Sequence, residues 1–368
     1  MKQSPRLWQK KLKEVLEDLK FEPFTSDDCV YRNARTGIVI ITYVDDFLLI
    51  GRKNKDLDAL KTDLSGRFEM QDMGPVQYFL GVRIVRDRKL RKLSLVQDAY
   101  FDKILKRFNM TQCKPISSPL DTGAMPQYVP FEGKTTQGDI SLYQEIIGLV
   151  QYAVLRTRPD LAFATSVLSR FLQNPSPFHM LSAKRLLRYL KATRTVGITY
   201  GGPEYADLDI HAYTDSDWAG CCATRRSTSG YVFFLAGGPV SWSSKRQAIV
   251  THSSTEAEYY GLSNASREAT WIRRLLRDFQ YQEPDAKKTL IFADNQGAIA
   301  LGNNPEFHQR AKHIEVVWHY IREQIGANLV DVQFCPTQEM VADGLTKPLP
   351  TAGHLRFVNQ LGLKAINF

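Results

Sequence analysis

Two adjacent carboxylates, Asp45 and Asp46, lie between the largely apolar runs 38–44 and 47–50. This pattern predicts two strands that meet at an acidic tip. A plain tight turn is the alternative, but favoured two-residue hairpin turns use Asn-Gly, Asp-Gly or Gly-x because they need positive φ, which Asp-Asp accepts poorly. Neighbouring carboxylates repel each other and usually need a cation to offset the repulsion. The pair therefore predicts magnesium ligands for phosphoryl transfer.

A second candidate, Asp215, ends the alternating run 208–215, which predicts a strand with one buried face. Asp215 lies on the opposite face and shares its parity with Asp217, so the strand pattern cannot choose between the two. An isolated acid in this position would ordinarily be a solvated strand end. Three further acids follow at long intervals: Glu258, Asp294 and Asp343.

Each of these three acids has a structural alternative. The string Ser253-Ser-Thr-Glu256 is typical of a capping box, so Glu256 is predicted to serve the helix start, which leaves Glu258 for another role. Asp294 follows the buried strand predicted over 289–293, where helix capping and metal binding are equally open. Asp343 lies in a short predicted helix and by itself would be an ordinary helix acid.

The sequence around these acids predicts several helices and strands. N-terminal helices are expected from Ser4, over 56–66 and around 100–108, with a strand-turn-strand over 83–92. Residues 116–139 are rich in Pro, Gly, Ser and Thr, which indicates a linker. Helices over 141–174, broken at Arg158-Pro159-Asp160, and over 178–192 follow. Further strands are predicted over 228–236, 240–243 and 329–334, and 247–251 is a candidate strand.

Composition limits the function classes. The 368 residues are 43% hydrophobic and 24% charged, which is typical of a globular protein and excludes a disordered chain. The net charge of +9 suits a polyanionic partner but indicates nucleic acid only weakly. The five cysteines are odd in number and lack a Cys-x-x-Cys pair, which argues for a reducing compartment and against a zinc site. No signal peptide or membrane span is predicted.

Two basic faces are candidates for phosphate contacts, although a solvated charged face explains each of them equally well. They comprise Arg83, Arg86 and Lys89 on the predicted strand-turn-strand, and Lys184, Arg188 and Lys191 on the predicted helix 178–192.

Several strings along the chain resemble copia-type LTR retrotransposon polyproteins. In the N-terminal part they are Lys2-Gln-Ser-Pro-Arg-Leu-Trp8, Tyr43-Val-Asp-Asp46, which is similar to the reverse-transcriptase palm motif, and Tyr78-Phe-Leu-Gly81. In the C-terminal part they are Tyr213-Thr-Asp-Ser-Asp-Trp-Ala-Gly220, Arg225-Arg-Ser-Thr-Ser-Gly-Tyr231, Ser253-Ser-Thr-Glu-Ala-Glu-Tyr259, Ala293-Asp-Asn-Gln-Gly-Ala298, Lys312-His-Ile-Glu315 and Val341-Ala-Asp-Gly-Leu-Thr-Lys-Pro-Leu349.

The resemblance implies an α+β protein with a partial reverse-transcriptase palm and thumb, a helical connection, and a ribonuclease H-like five-stranded mixed sheet with flanking helices. It places the palm and thumb at 1–118, the linker and connection at 119–205, the ribonuclease H-like domain at 206–350 and a tail at 351–368. Asp215, Glu258, Asp294 and Asp343 are implied to hold two Mg²⁺ ions, with Mn²⁺ as a substitute. The family alignment thus prefers Asp215 over Asp217.

The implied activity is magnesium-dependent hydrolysis of the RNA strand of an RNA–DNA hybrid. Cellular ribonucleases H carry a His before the last catalytic Asp, but 335–340 contains none, and His313 and His319 are interpreted as structural. Polymerase activity is expected to be lost, because the third palm Asp and the fingers of this family lie upstream of the Lys2–Trp8 string. A non-catalytic nucleic-acid-binding remnant, or a polymerase subunit that needs an upstream fragment, is the alternative.

The expected partners are an RNA–DNA hybrid or a primer-template, with possible association with other fragments of the polyprotein and no membrane. The expected location is intracellular, either cytoplasmic, in the virus-like particle of an intact element, or nuclear.

Overall fold

A computed structural model describes residues 4–203, 209–280, 287–303 and 315–367, with no side-chain description for 4–5 and 315–319. The chain divides into two compact units, Met1–Phe79 with Glu268–Lys287, and Leu80–Arg267 with Lys288–Phe368. The domain limits at 118, 205 and 350 given by the resemblance remain predictions. No helix in the described part of the chain combines the length and apolar character needed to cross a membrane.

Ten α-helices and fourteen strands lie within the described ranges. The helices are α1 Ser4–Asp18, α2 Asn54–Ser65, α3 Asp98–Arg107, α4 Gln137–Arg156, α5 Ala162–Leu168, α6 Pro177–Ala192, α7 Ser254–Asp278, α8 Gln296–Asn303, α9 Glu315–Gly326 and α10 Thr351–Gln360. The strands are β1 Glu22–Pro23, β2 Val30–Arg32, β3 Val39–Tyr43, β4 Asp46–Ile50, β5 Tyr78–Phe79, β6 Val82–Asp87, β7 Lys92–Val96, β8 Val196–Gly201, β9 His211–Asp217, β10 Thr228–Leu235, β11 Gly238–Arg246, β12 Thr289–Ala293, β13 Val330–Phe334 and β14 Lys364–Ala365.

The first unit contains an antiparallel sheet in the order β1-β2-β3-β4. Helices α1 and α2 each place an apolar stripe at helical spacing against this sheet. The residues they bury together are Leu12, Leu16, Phe21, Tyr31, Ile38, Ile40, Leu60 and Leu64. The helix expected from Ser4, the helix expected over 56–66 and the acidic hairpin are all present.

The second unit contains a mixed sheet in the order β11-β10-β9-β12-β13. Strands β9, β10 and β11 are antiparallel neighbours, whereas β12 runs parallel to both β9 and β13. This order and these directions are those of the ribonuclease H fold, so the predicted five-stranded mixed sheet is confirmed. The candidate strand 247–251 is wrong, because β11 continues to Arg246 and the chain then enters the start of α7.

Helices α3 to α6 bury side chains in the same core as β10 and the C-terminal segment. Ile146, Leu161 and Leu187 belong to this core together with Val232 and Leu345. A second sheet in this unit runs β14-β8-β7-β6. The helical connection therefore packs as part of the unit that carries the mixed sheet, and this apolar packing accounts for much of its stability.

The segment 116–139 is not a free linker, which corrects the expectation from composition. It contains a 3-10 helix, Thr122–Gln127, and its side chains Leu120, Ala124 and Tyr128 are buried in the core of the second unit. The Tyr128 hydroxyl donates to Ser182 Oγ on α6 at 3.1 Å. The Pro and Gly content marks irregular backbone, but three well-placed apolar side chains are enough to anchor it.

The break between α4 and α5 is held by a buried charge network. Arg158 is fully buried and donates from Nε and Nη2 to the two carboxylate oxygens of Asp160 at 2.8 and 2.7 Å. Tyr189 on α6 donates to the same carboxylate at 2.7 Å, and its hydroxyl also contacts His354 Nε2 on α10 at 2.8 Å. The network therefore joins the connection helices to the C-terminal helix of the same unit.

Candidate functional site

Strand β9 carries Asp215 at the position that pairs with Gly230 of β10. The Asp215 side chain is buried, with 5% of the residue exposed. Helix α7 packs closely on this strand at Gly261, where an added Cβ would lie 2.5 Å from Ser216 Oγ. A larger side chain than Gly at 261 would push the helix away. The sequence thus sets the close approach that brings α7 to the carboxyl-bearing strand.

Glu258 lies on α7, one turn before this contact. The start of the helix is capped as predicted, because the Glu256 N–H donates to Ser253 Oγ at 3.1 Å, and the Glu256 carboxylate accepts from the His252 N–H at 2.7 Å. Glu256 is therefore occupied by the helix start. Glu258 is 7% exposed, and its Oε2 has no hydrogen-bond partner among the described residues.

The pKa of Glu258 is raised to about 10, first by burial and then by the charges of Asp215 and Asp294. A carboxylate with two acidic neighbours and an unpaired buried oxygen is a group whose charge the protein alone does not compensate.

Asp294 immediately follows β12, which lies directly beside β9 in the sheet. The question of capping is resolved by its neighbour, since Asn295 Oδ1 accepts from the Ala298 N–H at 2.9 Å and caps α8. The Asp294 carboxylate accepts instead from Thr337 Oγ1 at 3.0 Å. Asp294 is therefore not required for the helix start and faces the ends of the strands.

Asp343 lies in a 3-10 helix, Val341–Leu345, that packs over β9 and β10. Close packing depends on Gly230, where an added Cβ would lie 2.6 Å from Leu345 Cβ. Thr346, which ends this helix, donates its hydroxyl to the Asp215 carboxylate. The Asp343 carboxylate forms an ion pair with Lys347 Nζ at 2.8 Å.

Three of the predicted acids meet at one point. Asp215, Asp294 and Asp343 each offer a carboxylate oxygen, and these oxygens all lie within 4.8 Å of one another. Burial raises the pKa of Asp215 to about 6, and the charges of Asp343 and Asp294 add to this rise while the Thr346 hydrogen bond opposes it. Asp217 is not in this group. The tertiary structure therefore separates two acids that strand parity could not separate.

Glu258 lies outside this group of three, although the charges of Asp215 and Asp294 act on its carboxyl. Oxygen ligands crowded in a buried place suit a hard divalent cation such as Mg²⁺, which would relieve their mutual repulsion. The raised pKa values and the unpaired Glu258 oxygen fit such an ion. Thr337, Thr346 and Lys347 are not among the site residues predicted from the sequence. Thr346 and Lys347 do lie within the string 341–349, which is part of the resemblance.

The hairpin acids have a different setting. Tyr43 pairs with Asp46, so Val44 and Asp45 form the turn, and Val44 adopts a φ of 56°. A β-branched residue in this left-handed region is strained. Asp45 and Asp46 are both exposed. Within the described ranges, no third His, Cys, Asp or Glu side chain joins them in a metal-binding group.

The six predicted phosphate contacts divide into two sets. Arg83 pairs with Asp98 at 2.9 Å, Arg188 Nε donates to the Lys114 carbonyl at 2.8 Å, and Lys191 Nζ donates to the Cys113 carbonyl at 2.7 Å. These partners give each of the three a structural role. The other three, Arg86, Lys89 and Lys184, are exposed. His313 and the side chain of His319 lie outside the described residues.

The chain is similar to known proteins over nearly its whole length. Residues 1–122 match the family described as reverse transcriptase (RNA-dependent DNA polymerase). The chain is 38% identical over 359 residues to the retrovirus-related Pol polyprotein from transposon TNT 1-94 of Nicotiana tabacum, a match that covers 95% of this chain and 26% of that protein. It is 36% identical over 368 residues to the Pol polyprotein from transposon RE1 of Arabidopsis thaliana, covering 100% of this chain and 24% of that protein.

A shorter relative matches over most of its own length. It is a putative transposon Ty5-1 protein of Saccharomyces cerevisiae, 33% identical over 276 residues, with 73% of this chain and 86% of that protein covered. The chain thus spans about a quarter of the length of the two Pol polyproteins and most of the Ty5-1 protein.

The solved structures that match are more distant in sequence. An N-terminal RNase H domain from Mycobacterium tuberculosis, fused to maltose-binding protein, is 11% identical with a TM-score of 0.29, covering 42% of this chain and 98% of that chain. A foamy viral protease-reverse transcriptase in complex with dsDNA is 13% identical with a TM-score of 0.48, covering 91% of this chain and 59% of that chain.

Proposed function

Because the chain belongs to the family of copia-type retrotransposon Pol polyproteins, we propose that it hydrolyses the RNA strand of RNA–DNA hybrids at Asp215, Glu258, Asp294 and Asp343. The observation that carries the proposal is the convergence of Asp215 on β9, Asp294 after β12 and Asp343 in the 3-10 helix 341–345, to which the buried Glu258 of α7 is added as the fourth acid. Elements far apart in sequence supply these groups, whereas an ordinary charged surface would leave them dispersed and solvated.

The four acids would hold two Mg²⁺ ions, and Mn²⁺ would be a substitute for Mg²⁺. When bound, the cations polarise the scissile phosphate and make the attacking water nucleophilic. The acid cluster fits them because its carboxylate oxygens are close together and repel one another, with Asp215 buried and Asp294 and Asp343 partly buried. The ion requirement is therefore expected to be absolute.

The remaining polar groups position these acids. Thr346 donates to Asp215, and Thr337 donates to Asp294 at 3.0 Å. Each of these donors fixes one carboxylate orientation, so that the other oxygen of that carboxylate is free for a cation. Such outer contacts commonly alter metal affinity or activity when they are removed.

Recognition of the hybrid is proposed to rest on backbone phosphates and 2′-hydroxyls rather than on base sequence. Among the basic side chains, Arg86, Lys89 and Lys184 are exposed and free of the structural contacts made by Arg83, Arg188 and Lys191. The exposed three are therefore the stronger candidates for contacts with phosphates.

DNA synthesis by this chain alone is not part of the proposal. Asp45 and Asp46 are exposed, and the described ranges bring no third acid to them, whereas a two-metal transfer needs carboxylates arranged around both ions. Extension of a primed RNA template by the purified chain is the measurement that would reverse this conclusion.

The direct test of the main proposal is cleavage of a hybrid labelled on its RNA strand. Purified chain with Mg²⁺ is expected to shorten the RNA, and EDTA is expected to stop the reaction. Single-stranded RNA and duplex DNA of the same sequence serve as controls and should remain intact. A chain that binds the hybrid but leaves it whole in Mg²⁺ and in Mn²⁺ would be a non-catalytic binding protein instead.

A further inference from the structure

Lys347 lies at the edge of the acid cluster and has no place in the hydrolysis described above. It follows Asp343 by four residues, and its ammonium lies 2.8 Å from Asp343 Oδ1. The Lys347 side chain is 40% exposed and that of Asp343 is 18% exposed. One end of the pair therefore faces solvent while the carboxylate faces the cluster.

The charge of Lys347 acts on more than its direct partner. Burial lowers its pKa, but the charges of Asp215, Asp343 and Asp294 raise it, and the net shift is upward. Conversely, Lys347 lowers the pKa of Asp215 and Asp343 against the effects of burial and of the neighbouring acids. Within the described ranges, this is the one ion pair that any of the four acids makes.

We propose that Lys347 is an internal counter-ion of the acid cluster, which holds Asp343 in the metal-free protein and competes with a divalent cation for its carboxylate. This inference rests on the proposed function, because it takes the cluster to be a cation site. The Lys347 ammonium and Mg²⁺ bind the same carboxylate oxygens, and two cations on one oxygen repel each other.

The lysine side chain is suited to this exchange. Its flexible four-carbon stem and compact ammonium allow it to leave Asp343 without moving the backbone. Its exposure provides a path to solvent, where the ammonium is hydrated again at little cost. Lys347 thus reduces the repulsion among the acids in the metal-free protein, and it lowers the affinity of the cluster for the divalent cation.

The test compares Lys347→Met, which keeps the length and removes the charge, with Lys347→Arg, which keeps the charge. Lys134→Met is the matched control, since Lys134 is exposed in the irregular segment before α4. Mg²⁺ binding to each full chain is measured by titration calorimetry without nucleic acid, and the melting temperature is measured in EDTA.

Lys347→Met is expected to bind Mg²⁺ roughly tenfold more tightly than the parent chain, the scale on which one adjacent charge shifts a carboxylate equilibrium. The same variant should melt at a lower temperature in EDTA, because the acids then repel one another without compensation. Lys347→Arg and Lys134→Met should behave as the parent chain does. This pairing of weaker metal-free stability with stronger metal binding is not produced by a merely structural side chain.

The two proposals fail differently in this experiment. A parent chain that binds no Mg²⁺ removes the cation site and, with it, the proposed function. A parent chain that binds Mg²⁺ while Lys347→Met binds it equally or less tightly removes only the counter-ion role. If Lys347→Met does not fold, Lys347→Gln gives the same comparison with a polar side chain in place.

Discussion

Asp160 and Asp215 are both buried carboxylates of the second unit, 2% and 5% exposed, yet they behave in opposite ways. Burial alone would raise the pKa of each. Arg158 reverses this at Asp160, whose pKa is lowered by the adjacent charge and by hydrogen bonds from Arg158 and Tyr189. Asp215 has acidic neighbours instead, and its pKa rises to about 6.

The comparison teaches that burial does not decide the role of an acid, but its partners do. A buried carboxylate with a built-in guanidinium completes its own charge balance and serves the fold. A group of carboxylates that has one lysine ion pair among the described residues remains incomplete and is suited to an external cation. Substitution by Asn should therefore have opposite consequences in the two places.

The largest effect is expected on cleavage from Asp294→Asn. This change removes a ligand charge while keeping the shape, so we expect hybrid cleavage in Mg²⁺ to fall about 10²- to 10⁴-fold, the scale for removing a group that acts directly in a reaction. The melting temperature in EDTA should stay equal or rise, because one charge leaves a repelling group. Cleavage by Asp294→Asn at the parent rate would remove Asp294 from the site.

The next largest effect is expected on the free energy of unfolding, from Asp160→Asn. Arg158 would remain buried and charged without its partner, so the free energy of unfolding should fall by about 3 to 5 kcal/mol, as in other broken buried pairs. Chemical denaturation in EDTA measures this, with Asp215→Asn as the matched buried control. The comparison breaks if Asp215→Asn loses as much stability as Asp160→Asn.

A smaller effect is expected from pH. The pKa of the Asp215 carboxyl is 3.8 in the unfolded chain and about 6 in the folded protein. Between these two pH values the folded state binds more protons than the unfolded state, so stability falls as pH rises. The cost reaches about 3 kcal/mol above the folded pKa. The stability gained by Asp215→Asn in EDTA should therefore grow between about pH 4 and about pH 6 and level off above that range.

Added Mg²⁺ should reverse this advantage, because the ion binds the folded parent cluster and stabilises it by mass action. Thermal melting of both chains across this pH range, with EDTA or with Mg²⁺, measures the difference. A difference that is constant with pH would show that the Asp215 carboxyl does not titrate differently in the folded and unfolded chain.

The smallest effect is expected in the first unit. Asp45→Asn with Asp46→Asn alters two exposed acids outside the buried cluster, so hybrid cleavage should remain within about twofold of the parent rate, as is usual for surface changes. The cleavage assay described above measures it. A large loss of cleavage would mean that the hairpin acids take part in the nuclease reaction.

Much of the fold could be predicted from local pattern. The strand 289–293 has the predicted bounds, and the helix start at Ser253 uses Glu256 as its capping box predicts. The errors arose where local composition misleads. Residues 247–251 follow β11 directly but form no strand of their own, since only irregular backbone separates Arg246 from the start of α7. The Pro- and Gly-rich segment 116–139 is anchored by a few apolar side chains.

The sequence by itself determined which acids lie on or directly after strands and which lie beside helix starts, because side-chain parity and capping are local properties of the chain. It placed Asp215 at the end of its strand, but β9 continues to Asp217, so Asp215 lies within it. Only the tertiary structure decided that Asp215 rather than Asp217 meets Asp294 and Asp343, and that Lys347 stands beside them. Distances between these groups depend on strand order and on the close approach at Gly230 and Gly261. Such long-range packing has no local signature, so the geometry of the site emerges only when the sheet and its covering helices assemble.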